Sequence, residues 1–128
     1  MKRLNVITTI IKKRMDNLES KALLDLAVES VDGKRAEDIR VFDVRESSTI
    51  ADYILICHGT SDRQVKAIAR ALEDLAEDKE LNVSVEGARE GQWILIDLGD
   101  VVAHIFTKVE REYYNLERLY YDGEAVEL

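Results

Sequence analysis

Helical spacing of apolar residues predicts three helices in this chain, at residues 16–33, 61–79 and 107–121. Each begins with a capping box, in which the N-cap residue is followed three positions later by Glu or Gln; the pairs are Asp16 with Glu19, Ser61 with Gln64 and Thr107 with Glu110. Gly33 marks the end of the first helix. The residues predicted to face the core are Leu23, Leu26, Ala27 and Val31 in the first helix and Val65, Ile68, Ala69, Leu72 and Leu75 in the second.

Short β-prone runs occupy the stretches between these helices. They are Ile39–Val44, Tyr53–His58, Val83–Glu86, Trp93–Leu98 and Val101–Thr107. The second run is apolar on both faces, which is typical of a strand in the middle of a sheet. Hairpin-linked strands together with one β-α-β crossover predict a mixed sheet of about five strands packed by helices. The predicted fold is therefore α/β, a single domain with the order α-β-β-α-β-β-β-α.

The last two strands are predicted to form a hairpin, because Gly99 and Asp100 between them suit a two-residue type II′ turn. This turn sets the register, which pairs Leu98 with Val101, Asp97 with Val102, Leu95 with His104 and Trp93 with Phe106. Because residues alternate between faces, one face of the hairpin is wholly apolar and is predicted to face the core. It holds Ile94, Ile96, Leu98, Val101, Ala103 and Ile105.

The opposite face of the hairpin mixes large aromatic side chains with polar ones. It holds Trp93, Leu95, Asp97, Val102, His104 and Phe106. Asp97 lies diagonal to His104, within reach of a hydrogen bond or an ion pair. Aromatic anchors beside a few polar groups are typical of the centres of protein interfaces, so this face is a candidate binding surface. The alternative is that the last helix covers this face and that His104 is a satisfied core histidine.

The last helix carries one apolar stripe and one aromatic residue outside it. At about 100° per residue, the stripe that is predicted to face the core comprises Val109, Tyr113, Leu116 and Tyr120, flanked by Leu119. Tyr114 falls about 140° from the centre of this stripe, among charged residues. Tyr114 is therefore predicted to project from a polar face without a packing reason.

Composition limits the classes of protein that fit. The chain has 128 residues, no proline and six glycines, so we expect one domain without an internal linker. Cys57 is the only cysteine and lies in an apolar run, which predicts a buried structural thiol and no disulfide within the chain. We predict no metal and no other cofactor. The chain has no apolar run of membrane-spanning length and no signal peptide, which predicts a cytoplasmic protein.

Charge is distributed unevenly along the chain. Residues 1–14 carry five of the 18 cations and no acid, which leaves 13 cations against 26 acids in the remainder. An acidic body disfavours wrapping of nucleic acid and favours a basic protein partner, or else it simply keeps a small domain soluble. Residues 1–14 are predicted to be a basic appendage, with a minor contact to RNA left open, and residues 123–128 a short C-terminal tail after a domain at 15–122.

Four segments resemble the Iojap family, the ribosomal silencing factors, and the resemblance covers about residues 18–120. They are DYILICHGTSDRQVKAIA at 52–69, EG at 86–87, WILIDLGDVVAHIF at 93–106 and EREYYNLERL at 110–119. The resemblance implies a nucleotidyltransferase-like fold without enzymatic activity. It implies binding to ribosomal protein L-fourteen of the large ribosomal subunit, which blocks association with the small subunit and represses translation under nutrient limitation. A role in biogenesis of the large subunit is the other emphasis that the family implies.

The resemblance also implies which residues contact the partner. Trp93 matches the family's tryptophan and Tyr114 its final-helix tyrosine, and both are associated there with the ribosomal-protein contact. The predicted partner-binding set also includes Leu95, Asp97, His104, Phe106, Arg111 and Glu117. The chain departs from the family at Tyr120, where tryptophan is usual, and at His58, where a small residue is commoner. The minor RNA contact of residues 1–14 would then be with ribosomal RNA.

Other classes of function stay open at this point. Gly59-Thr60-Ser61 before a helix resembles the phosphate-holding turn of nucleotidyltransferases, but no Asp-x-Asp pair follows to hold metal ions. A hydrolase built on His104 and Asp97 lacks a Gly-x-Ser-x-Gly motif. A homodimerisation module, in which the Trp93 face pairs with a second copy, is the remaining alternative.

Overall fold

The computed structural model describes residues 19–120 and a short strand at 124–126. The capping box that begins at Asp16 and the basic segment 1–14 lie outside the described residues. So do residues 123, 127 and 128 of the predicted tail.

Helices and strands follow one another along the chain in the order that the sequence predicts. Helix α1 covers residues 19–33 of the described part, α2 is Asp62–Asp78 and α3 is Lys108–Tyr114, followed by a 3-10 helix at Leu116–Tyr120. The strands are β1 Glu37–Asp43, β2 Tyr53–Gly59, β3 Ser84–Glu86, β4 Trp93–Asp97, β5 Val101–Thr107 and β6 Glu124–Val126. The predicted caps are confirmed at α2 and α3, because the hydroxyls of Ser61 and Thr107 accept hydrogen bonds from the backbone N–H of Gln64 and Glu110.

The strands form one mixed sheet in the order β3-β4-β5-β2-β1-β6. The central pair, β2 with β5, is parallel, and the other neighbouring pairs are antiparallel. The predicted mixed sheet and the central position of β2 are confirmed. The short edge strand β6, which pairs with β1, is an addition that the sequence pattern does not predict.

Helices α1 and α2 pack on one face of the sheet and form the main core with it. The six apolar hairpin residues predicted to face the core all belong to this cluster, and none is more than 3% exposed. Ala27 and Val31 of α1 are fully buried as predicted, whereas Leu24 and not Leu26 is the third fully buried apolar residue of this helix. One hairpin face therefore accounts for a large part of the core.

The other face of the sheet carries a second, smaller apolar cluster. Its buried members are Phe42, Val44, Ala51, Ile54, Ile56, Val102 and Phe106. Leu116 and Tyr120 of the 3-10 helix pack against this cluster, and the ring of Tyr120 lies 5.3 Å from that of Phe42. The 3-10 helix thus covers part of this face and leaves the end that carries Trp93 less enclosed.

The continuous final helix predicted up to residue 121 is wrong in its second half. Helix α3 ends at Tyr114 because Asn115 adopts a left-handed conformation with φ of 47°, and the chain continues as a 3-10 helix. The change shifts the angular phase of every later residue. Leu119, which was predicted to face the core, is 68% exposed for this reason. The predicted inward side is also wrong within α3, where Arg111 is the buried residue and Val109 and Tyr113 are 73% and 78% exposed.

Candidate functional site

Four aromatic rings meet where β4, β5 and α3 come together. Trp93 of β4 stacks on Phe106 of β5 with ring centroids 5.0 Å apart, and Tyr114 of α3 lies 4.7 Å from Trp93. The ring of His104 lies 5.9 Å from that of Trp93. We call Trp93, His104, Phe106 and Tyr114 the aromatic cluster. Its base is buried at Phe106, while Trp93 is partly exposed and Tyr114 is 44% exposed.

The strand register explains why three of these rings are neighbours. Trp93 is directly opposite Phe106, and His104 lies two residues from Phe106 on the same face of β5. This is the register that the two-residue turn predicts, and Gly99 in the turn has a φ of +95°. The fourth ring, Tyr114, comes from the last residue of α3, so its place in the cluster depends on how that helix is held.

A hydrogen bond inside the aromatic cluster joins Trp93 to His104. The indole Nε1–H donates to His104 Nδ1 at 3.1 Å. Because an indole nitrogen can only donate, Nδ1 of His104 carries no proton and the imidazole is neutral with its proton on Nε2. Burial favours the same state, since it lowers the pKa of His104 from 6.5 to about 4.

The lowered pKa of His104 predicts a pH dependence of stability. In the unfolded chain His104 binds its proton near pH 6.5, but in the folded protein it does so only near pH 4. The neutral His104 therefore contributes its full stabilisation above pH 6.5. As pH falls from 6.5 to about 4, the free energy of unfolding decreases by up to about 3 kcal/mol. Urea unfolding of wild type and His104→Asn from neutral pH to about pH 4 tests this. The wild type should lose stability more steeply, and equal slopes would assign the effect to other groups.

The loop before β4 fixes the backbone of Trp93 through a glycine. Gly87 has a φ of +81°, and a Cβ at this position would overlap the carbonyl oxygen of Trp93. The backbone N–H of Gly91 donates to the carbonyl of Gly87 at 3.1 Å and closes the loop. Only glycine satisfies both the conformation and the close approach, which gives a physical reason for glycine at this position.

Helix α3 is held against the sheet by a buried arginine. Arg111 is only 6% exposed, and its Nε donates to the carboxylate of Glu117 in the 3-10 helix at 2.6 Å. Its Nη1 donates to the carbonyl of Asp38 at 2.7 Å and to Nδ1 of His58 at 2.9 Å. His58 Nε2 in turn lies 3.1 Å from the carboxylate of Glu37. We call these five residues the arginine network; it ties the segment around Tyr114 to β1 and β2.

The predicted partner-binding residues fall into an exposed group and a buried group. Trp93, Leu95, Asp97 and Tyr114 are at least partly exposed, whereas His104, Phe106 and Arg111 are buried. The expected pairing of Asp97 with His104 is not present, because Asp97 Oδ1 accepts a hydrogen bond from the backbone N–H of Gly99 while His104 binds Trp93. His104 is therefore a buried histidine whose Nδ1 is hydrogen-bonded to Trp93, and Glu117 is an ion-pair partner of Arg111.

Sequence reasoning missed two features of this region. Tyr113, assigned to the core, is exposed and its ring lies edge-on to that of Tyr114 at 5.0 Å. The asparagine directly after Tyr114 was a signal that the helix ends there, but it does not decide which side of α3 faces the sheet. The grouping of His58, Glu37 and Asp38 around Arg111 had no local signal, because it joins residues far apart in the chain.

The turn that resembles a phosphate-holding loop is closed by the protein's own side chain. Oε1 of Gln64 accepts hydrogen bonds from the backbone N–H of Thr60 at 2.6 Å and from its hydroxyl at 2.8 Å. The amide nitrogen of Gln64 donates to the carbonyls of Lys34 and Arg35. An oxygen of the chain thus takes the place at the start of α2 where a phosphate oxygen would bind in a nucleotide-binding fold.

Two kinds of group that often carry catalysis can be examined in the described part of the chain, a metal-binding cluster and the cysteine thiol. Within residues 19–120 and 124–126, no group of three or more His, Cys, Asp or Glu side chains is placed to hold a metal ion. Burial raises the pKa of Cys57 to about 12, so this thiol is a weak nucleophile at neutral pH. No helix in this part is long and apolar enough to cross a membrane.

The fold and the aromatic cluster together define a small mixed α/β domain with a partly exposed aromatic surface. A family model described as "Ribosomal silencing factor during starvation" matches residues 17–128. A ribosomal silencing factor of Bacillus subtilis is 49% identical over 87% of this chain and 95% of its own length. A crystal structure of a protein from Bacillus halodurans, 46% identical, covers 84% of this chain and 99% of that one with a TM-score of 0.76.

This chain belongs to the ribosomal silencing factor family. A more distant relative, "Mitochondrial assembly of ribosomal large subunit protein 1" of Mus musculus, is 29% identical over 82% of this chain and 48% of its own length. These relatives are named as silencing or assembly factors and not as enzymes. The resemblance found in the sequence is confirmed, and family membership supports a role in ribosomal silencing.

Proposed function

We propose that this protein binds the large ribosomal subunit through ribosomal protein L-fourteen and thereby prevents the small subunit from joining. The contact surface is the exposed part of the aromatic cluster, Trp93 and Tyr114, together with Leu95 and Asp97 beside it. The observation that carries the proposal is the contact of Trp93 with Tyr114 at 4.7 Å, because it unites the two residues that the family resemblance implicates into one surface. Repression under nutrient limitation is the setting, with assembly of the large subunit a second use of the same contact.

Charge supports a basic partner for this surface. The chain has 26 acidic residues against 18 cations, and a net charge of −8. Helix α3, which provides Tyr114, also presents the exposed carboxylate of Glu112. A chain of net negative charge attracts a basic protein at long range and speeds the encounter, while repelling the phosphates of exposed RNA. Ribosomal proteins that bind RNA are the class of partner that this charge favours.

Size supports obstruction as the mechanism. A stable interface covers about 800 Å² of one partner. The chain has 8873 Å² of accessible surface, so roughly a tenth of the surface is used for docking and the rest of the domain projects from the site. A bound domain of this size excludes a second macromolecule from the same place by occupying volume. No chemical step and no cofactor is required for this effect.

The closed turn at Thr60 disfavours the alternative that the protein is a nucleotidyltransferase. A phosphate group that entered this turn would have to displace Gln64 from four hydrogen bonds, which join it to Thr60, Lys34 and Arg35. Binding would then forfeit contacts that hold α2 to the loop after α1. This cost works against nucleotide binding and is absent from a role in protein docking.

The test of the proposed function is a subunit-joining assay with wild type and Tyr114→Ala. Wild type should sediment with purified large subunits, bind isolated ribosomal protein L-fourteen, and reduce the yield of joined ribosomes when small subunits are added. Tyr114→Ala removes one exposed ring of the aromatic cluster and should weaken large-subunit binding at least about tenfold. The proposal would be overturned if wild type did not bind large subunits, or if the two subunits still joined normally at saturating concentrations of wild type.

The matched control for this assay is Arg70→Ala. Arg70 lies on α2, which packs on the opposite face of the sheet, and its side chain is 75% exposed. Its removal changes charge and exposed area without touching the aromatic cluster, so it should bind large subunits as wild type does. Equal weakening by Arg70→Ala and Tyr114→Ala would move the contact away from the proposed surface.

A further inference from the structure

The indole of Trp93 is fixed by contacts on several sides. Phe106 stacks on it from within the sheet, Tyr114 approaches from α3, and His104 accepts its N–H. The N–H is the only polar group of the indole and is a donor without any acceptor capacity. Because His104 binds it internally, the exposed part of Trp93 presents ring surface and no free hydrogen-bond donor.

The acceptor of this bond is itself well placed to define an orientation. His104 is 8% exposed on β5, which is hydrogen-bonded to strands on both sides, so its backbone position is set by the sheet. Its ring also stacks with Phe106 at 6.2 Å with an angle of 15° between the planes. A rigid acceptor on a central strand restricts the rotamer of a partly exposed side chain far more than apolar contact alone, because a hydrogen bond is directional.

We propose that His104 is a positioning residue for the partner contact, which holds the Trp93 ring in one orientation by accepting its indole N–H. The inference rests on the proposed function, in which Trp93 meets the ribosomal partner. It assigns to His104 a role through Trp93 and not a contact of its own. An ordered ring loses less conformational freedom on binding than a mobile one, so the hydrogen bond raises affinity by preorganisation.

A matched pair of substitutions separates the acceptor from the bulk of the histidine. His104→Asn keeps an oxygen acceptor close to the place of Nδ1, whereas His104→Leu has a similar size and no acceptor. Val102→Ala serves as the packing control. Val102 lies on the same strand and the same face and is 7% exposed, and its shortening loosens the face while leaving the acceptor in place.

The spectroscopic readout is favourable because Trp93 is the only tryptophan of the chain. Its indole N–H gives one side-chain resonance in a proton–nitrogen NMR spectrum, and exchange of that proton with solvent reports the hydrogen bond. Wild type and His104→Asn should protect the indole proton, and His104→Leu should exchange it at least about fivefold faster, the equivalent of one hydrogen bond. The affinity for large subunits should fall in His104→Leu and recover in His104→Asn.

Each outcome of this experiment decides one of the two claims. Protection and affinity that stay at wild-type values in His104→Leu would overturn the positioning role, as would equal losses of affinity in the Asn and Leu variants or an equal loss in Val102→Ala. If the indole proton follows the acceptor but wild type does not bind large subunits, the proposed function fails while His104 still orients Trp93. Protection and affinity that change together support both.

Discussion

Replacing Arg111 with Met is expected to lower the free energy of unfolding by about 3 to 5 kcal/mol, the range for removing one partner of a buried ion pair. Met fills much of the space but donates no hydrogen bonds. The carboxylate of Glu117, whose side chain is only 12% exposed, would then lose its cation. The carbonyl of Asp38 and Nδ1 of His58 would lose their donor as well. Urea denaturation followed by far-ultraviolet circular dichroism measures the change.

A double-mutant cycle identifies the cause of this loss. Combining Arg111→Met with Glu117→Leu removes the uncompensated carboxylate, so the double variant should be more stable than Arg111→Met alone. Arg70→Met is the control, because Arg70 forms an exposed pair with Asp74 on α2, and exposed pairs contribute little. A double variant that is as unstable as the sum of the two single variants would show that Arg111 and Glu117 act independently.

Replacing Trp93 with Ala is expected to weaken binding to the large subunit by at least about thirtyfold, which corresponds to about 2 kcal/mol. The substitution removes the ring that contacts the other three members of the aromatic cluster. Tyr114 would lose its packing partner at 4.7 Å, so two anchors of the surface would be affected by one change. Co-sedimentation at increasing protein concentration gives the affinity directly.

Two comparisons distinguish loss of the binding contact from a general loss of structure. Trp93→Phe keeps an aromatic ring on Phe106 and should bind more tightly than Trp93→Ala. Combining Trp93→Ala with Tyr114→Ala should cost less than the sum of the two single changes, because the rings are in contact and share one contribution. If Trp93→Ala binds like wild type while retaining the same melting curve, Trp93 is not an anchor of the interface.

The hairpin that carries Trp93 could be predicted from sequence in detail. A two-residue turn at Gly99 fixes the register, and period-two alternation then places every side chain on one of two faces. The prediction therefore paired Trp93 with Phe106 correctly at the far end of the hairpin. These rules are local, and the surrounding structure did not alter them.

The last helix could not be predicted to the same depth. A fixed angle per residue holds only while the helix is continuous, and Asn115 breaks the helix after Tyr114. Leu116 and Tyr120 still reach the second cluster, but they do so from a 3-10 helix. The exposure of Tyr113 has a different origin, because it lies before the break in a short helix whose buried residue is Arg111 and not a member of the apolar stripe.

The arginine network could not be predicted from local sequence patterns. Arg111 donates to the carbonyl of Asp38, a residue 73 positions earlier in the chain. That carbonyl is available because β1 has an irregular register between Glu37 and Arg40, where Asp38 takes a positive φ of 45°. Neither the irregularity nor its filling by a distant cation leaves a periodic pattern in the sequence, so an arginine predicted to contact a partner proved to be internal.

The parallel pairing of β2 with β5 has a consequence for how the chain is made. β2 is buried along its whole length, and one of its two edges pairs only with β5, which begins at Val101. During synthesis from the amino terminus, this edge of the apolar strand therefore stays unpaired until residue 107 has left the ribosome. The hairpin of β4 and β5 needs no such wait, because its partners are neighbours in the chain. The nascent domain thus closes its sheet late, at the moment when the strand that bears His104 becomes available.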